Sequence, residues 1–69
     1  MNSGKEVDKE YVSEIIRKFS TAMLRDDSSC KTALCNIGGR FVRISIVYAQ
    51  KAVVFTDPPT NKQIIKFYG

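Results

Sequence analysis

The sequence predicts an α+β domain: one amphipathic helix packed on an antiparallel sheet of three or four strands. Two observations carry this. Apolar residues recur at three- and four-residue steps over residues 8–24, and from Cys30 onward the apolar period changes to two. A third, the turn signals Gly38-Gly39 and Asp57-Pro58-Pro59, divides the second region into strand-length pieces. Sixty-nine residues hold one such domain and no second. Residues 1–7 read as a flexible polar arm and residues 8–69 as the domain.

The helix comes first. Tyr11, Val12, Ile15, Ile16, Phe19, Ala22 and Met23 form one broad stripe, with Lys9, Glu10, Ser13, Glu14, Arg17 and Lys18 on the other side. Asp8 suits the N-cap, Glu10 complements the positive helix end, and Glu14 with Lys18 makes an i,i+4 pair. Asp26-Asp27-Ser28-Ser29 ends the helix, because these side chains compete for backbone hydrogen bonds.

The strands follow. Residues 31–37 place Ala33, Cys35 and Ile37 on one face, and Gly38-Gly39 turns the chain. Residues 40–50 make the clearest strand. Val42, Ile44, Ile46 and Tyr48 face one way, and Phe41, Arg43, Ser45 and Val47 face the other. A tight turn at Ala49-Gln50-Lys51 leads to a strand over residues 52–56. In the next loop proline presets the turn, Asp57 bonds backbone amides ahead of it, and Asn61 tolerates a left-handed conformation. Residues 63–68 return as a strand. The alternative reads Thr60-x-x-Gln63 as a capping box, but too little chain remains after it for a stable helix.

The chemistry of catalysis is missing. With 43% hydrophobic and 26% charged residues the chain has the balance of a globular domain and not of a disordered tail. Histidine is absent, which removes the commonest general base and metal ligand. The acidic pairs Asp26-Asp27 and Glu10 with Glu14 read as solvated surface, and Gly38-Gly39 lacks the spacing of a phosphate loop. No catalytic, cofactor or metal residue is expected. Cys30 and Cys35, five apart, fall on opposite faces of one strand, which disfavours a local disulfide and suits reduced thiols in the cytosol. No apolar stretch approaches the ~20 residues of a membrane span. Lys5, Glu6, Asp8, Lys9 and Glu10 stand where a signal peptide would be apolar, so none is expected. The reading is a small, non-enzymatic binding protein.

Charge is uneven. Residues 1–27 carry six acids and five bases, whereas residues 28–69 carry Lys31, Arg40, Arg43, Lys51, Lys62 and Lys66 against Asp57 alone. Phe41 with Arg43, and Lys66 with Phe67 on a neighbouring strand, give the alternative of a basic nucleic-acid-binding module that stacks bases on a sheet.

The run Phe41-Val42-Arg43-Ile44-Ser45-Ile46-Val47-Tyr48, followed by the aliphatic hairpin through Ala52-Val53-Val54-Phe55-Thr56, resembles the paired strands of short roadblock-type subunits of the late endosomal/lysosomal Ragulator complex. The preceding amphipathic helix is in the family's order. The two strands that precede that helix in the family have no room here, so the resemblance implies a truncated roadblock-like fold. It implies a non-enzymatic scaffold subunit within a hetero-oligomer of other roadblock-type subunits. The assembled complex would recruit Rag-type GTPases in amino-acid signalling to TORC1. Location at the cytosolic face of the lysosome or vacuole is implied too, with membrane contact only through another subunit. The expected partner interface is Phe41, Arg43, Ser45 and Val47, the face the helix leaves open, with the edge of the same strand inviting a partner's strand.

Overall fold

The computed structural model describes residues 7–69. The arm expected over residues 1–7 lies outside the described residues except for Val7, which packs half-buried against the core. One helix, α1 (Lys9–Phe19), precedes five strands: β1 (Ser20–Asp26), β2 (Cys30–Ile37), β3 (Arg40–Val47), β4 (Ala52–Asp57) and β5 (Lys62–Phe67). Each strand pairs antiparallel with the next, in the order β1-β2-β3-β4-β5. The α+β class is as expected. The sheet has five strands and not three or four.

Asp8 caps α1, its Oδ1 accepting from the Glu10 N–H at 2.9 Å. Glu14 pairs with Arg17 on the next turn, in place of Lys18. Val12 and Ile16 are buried and Ile15 is half-buried, whereas Tyr11 stays exposed, so the packed stripe is narrower than the periodicity suggests. The helix stops at Phe19, well short of residue 24. Ser20 is already extended (φ −67°, ψ 130°), yet its N–H still bonds the Ile16 carbonyl. The chain passes from helix to strand without a loop.

Ala22 and Met23, assigned by spacing to the helical stripe, instead sit on β1 opposite Leu34 and Ala33. The reason is tertiary. Residues 20–26 exchange backbone hydrogen bonds with β2, and this non-local ladder prevails over the helical spacing. The segment expected to end the helix is the β1–β2 turn. Asp27 Oδ1 accepts from the Ser29 N–H at 2.8 Å and the Cys30 N–H at 3.0 Å.

Three further turns set the meander. Gly38 and Gly39 take φ +62° and +84°, the two left-handed conformations that a two-residue hairpin requires. Lys51 (φ +51°) closes the β3–β4 loop, where its N–H bonds the Tyr48 carbonyl at 3.2 Å. Asn61 (φ +61°) closes the β4–β5 loop and donates its N–H to the Asp57 carbonyl at 2.6 Å. The Asp57 carboxylate accepts from the Thr60 hydroxyl at 2.9 Å, not from the backbone amides expected for it. Lys62–Phe67 is a strand, so the capping-box alternative is not realised.

The core lies between α1 and one sheet face. Val12 and Ile16 from the helix meet Ala33, Cys35, Ile44, Ile46 and Val53. Cross-strand register puts Ala33 opposite Ile44, and Ile46 opposite Val53, so these side chains share one face. Full burial of residues such as Ile16 and Ile44 contributes ~1.5–3 kcal/mol each. Ile37, expected on this face with Ala33 and Cys35, is exposed and is not among the residues packed against the core. β3 lies in the middle of the sheet, bonded to β2 and β4 on its two sides. The expectation that its edge invites a partner's strand is therefore corrected: β3 has no free edge, and the sheet's edges are β1 and β5.

Candidate functional site

Strand alternation sends every second residue to the face away from α1. Register then lines these residues up in rows across four strands. One row runs Cys30, Val47, Ala52, Phe67. The next runs Thr32, Ser45, Val54, Ile65, and a third runs Leu34, Arg43, Thr56, Gln63. Phe41 stands opposite Asn36 at the end of the face. All four residues expected at the interface, Phe41, Arg43, Ser45 and Val47, thus share this face. Phe41 is 49% exposed, and Arg43, Ser45 and Val47 are half-buried.

Small side chains between larger ones are shielded without any covering layer. Ala52 is buried between Val47 and Phe67, and Thr56 is buried between Arg43 and Gln63. A short polar chain runs along the middle rows. Cys30 Sγ lies 3.2 Å from Thr32 Oγ1, which donates to Ser45 Oγ at 3.0 Å. Around it, Leu34, Val47 and Val54 are half-buried, and Ile65 and Phe67 are exposed (52% and 71%). No helix or loop of the described residues covers this face. It is an apolar sheet surface with a hydroxyl seam and two cations, Arg43 on β3 and Arg25, which stands opposite Thr32 on β1.

The two cysteines lie on opposite faces, as their odd spacing requires. Cys30 is half-buried on the open face, and Cys35 is buried beneath the helix, where desolvation pushes its thiol pKa up. No group of three or more metal-ligating side chains occurs among the described residues. No described helix is long and apolar enough to cross a membrane.

The basic residues expected beside the aromatics are divided between the two faces. β5 pairs with β4 and not with β3, so Lys66 is not on a strand neighbouring Arg43. Lys66 stands opposite Val53 on the helix side of the sheet, while Arg43, Phe41 and Phe67 are on the open side. Of the pairs that suggest base stacking, Arg43 keeps its place beside Phe41, and Lys66 does not share the face of Phe67.

The strand expected over residues 63–68 is β5, which the expected interface of Phe41, Arg43, Ser45 and Val47 does not include. Its run Lys62-Gln63-Ile64-Ile65-Lys66-Phe67 is apolar toward both faces and holds two lysines and no acid. Beside it, a groove of about 580 Å³ is lined by Arg40, Val42, Phe55, Asp57, Lys62 and Ile64, with Thr56 and Gln63. No family model, curated protein or solved structure matches this chain. Its fold and its open face define an α+β domain, one helix on one side of a five-stranded antiparallel meander.

Proposed function

We propose that this chain is a non-enzymatic scaffold subunit of a hetero-oligomer, with the open sheet face as its contact surface. One observation carries the reading: among the described residues a sheet of five strands has a helix on one face only, and the other face keeps Phe41, Val47, Ile65 and Phe67 accessible or half-accessible. A domain this small buries too little surface to be robust alone, so a partner on that face supplies the missing burial.

The roadblock resemblance gives the proposal its particular form. The complex is Ragulator-like, its other members are roadblock-type subunits, and the assembly recruits Rag-type GTPases in signalling to TORC1. Such a complex works at the cytosolic face of the lysosome or vacuole, held there by another subunit. Native mass measurement of the complex purified from cells tests this. Stoichiometric co-purification with other small subunits is the expected result. A monomer, or a chain purified with nucleic acid, would remove the proposal in favour of the nucleic-acid alternative.

A further inference from the structure

The sheet's two edges differ. β1 breaks register twice along its pairing with β2, and such irregularities twist an edge away from further strands. β5 pairs with β4 in unbroken register from Lys62 to Phe67 and is exposed at every position. Tyr68 continues this ladder, donating its N–H to the Lys51 carbonyl at 2.8 Å. Alternation from that bond turns the backbone of positions 62, 64 and 66 inward to β4. It turns the N–H and C=O groups of Gln63, Ile65 and Phe67 outward, with no partner strand among the described residues.

Charge decides what fits there. Lys62 and Lys66 share the helix side of β5, and neither is in an ion pair among the described residues. Asp57, opposite Lys62, is the nearby acid, and it lies 3.7 Å from Arg40 and accepts from Thr60. A second copy of the chain suits this edge poorly. Pairing centred on Ile64 would set Lys62 against Lys66, and any antiparallel register brings four lysines to one seam without a carboxylate on either β5. A strand with acids at alternate positions neutralises the same pair.

We propose that β5 is a strand-addition site for an extended acidic peptide segment of a partner protein. The segment pairs antiparallel with the outward backbone groups of Gln63, Ile65 and Phe67. It sets carboxylates beside Lys66 and Lys62, and between them an apolar side chain beside Ile64, which is itself exposed and lines the adjoining groove. This goes beyond the scaffold reading, which concerns the open face.

The test uses the full chain and two labelled hexapeptides, Val-Glu-Val-Leu-Thr-Glu and Val-Lys-Val-Leu-Thr-Lys, followed by fluorescence anisotropy. The glutamate peptide should bind at least about tenfold tighter than the lysine peptide, and more weakly as salt rises. The Lys62→Glu/Lys66→Glu double variant should reverse that preference. Amide hydrogen exchange on the unaltered chain supplies the second readout: the Ile65 and Phe67 N–H groups should gain protection when the glutamate peptide binds. Equal affinity for both peptides, or binding without that protection, overturns the proposal. So does a stable dimer that protects the same two amides with no peptide present. Phe41→Ala should leave peptide binding unchanged, which separates this site from the open-face contact.

Discussion

The Thr32 hydroxyl donates to Ser45 Oγ across the β2–β3 ladder at 3.0 Å, tying the two strands together on the face opposite the helix. Ser45 also stands opposite Val54 on β4, so its backbone lies inside the sheet. Tyr48 donates its N–H to the Ser29 carbonyl, which fixes the alternation along β3 and directs the Ser45 N–H toward β4. Ser45→Pro removes that ladder donor and should prevent folding, seen as loss of the strand signal in circular dichroism. Ser45→Ala loses only the side-chain bond and should cost ~0.2–1 kcal/mol in denaturant unfolding. A folded Ser45→Pro protein would contradict the central placement of β3.

Ile16 is fully buried where the helix meets Ile44 and Ile46, whereas Tyr11, on the same helix, is 59% exposed. Ile16→Ala should cost ~2–5 kcal/mol. That is comparable to the whole stability of a small domain, ~5 kcal/mol, so the variant should be largely unfolded at room temperature. Tyr11→Ala should change stability by less than ~0.5 kcal/mol. Urea titration of both variants makes the comparison.

The open face yields a binding prediction. Phe41→Ala and Val47→Asp remove or spoil apolar surface that the described residues do not cover. Both should retain the circular dichroism spectrum of the unaltered chain. In pull-down with the co-purified partner, each should weaken binding by more than about tenfold. Undiminished capture by both folded variants would place the contact elsewhere.

Acid should act through the β1–β2 turn. The Asp27 carboxyl pKa lies well below the ordinary carboxylate range, chiefly because Arg25 Nε donates to it at 2.8 Å, with the Ser29 and Cys30 amides and the Ser29 hydroxyl adding to the effect. A carboxyl with a lower pKa in the folded state favours folding above its unfolded value of ~3.9. That contribution fades as pH falls below this value toward the folded one. Asp27→Asn should therefore be less stable than the unaltered chain at neutral pH. The gap between their melting temperatures should narrow steadily from about pH 5 to pH 2. Parallel thermal melts across that range give the comparison, and a constant gap would refute it.

Local rules account for much of this molecule. Asp8 as a helix cap, Gly38-Gly39 as a hairpin turn and Asn61 in a left-handed conformation follow from what those residues do within a few positions of themselves. The period-two pattern of β3 likewise assigned Ile44 and Ile46 to the core and Phe41, Arg43, Ser45 and Val47 to the other face, because alternation is a property of any extended strand. Neither strand order nor the free edge is a local property. Ala22 and Met23 fit a helical stripe as well as they fit β1, and only the backbone groups of β2, brought alongside by the hairpin, decide for the strand. The separation of Lys66 from Arg43, and the outward backbone of Ile65, depend in the same way on β4 lying between β3 and β5. Hydrogen bonds between distant segments make those choices, and residue spacing carries no record of them.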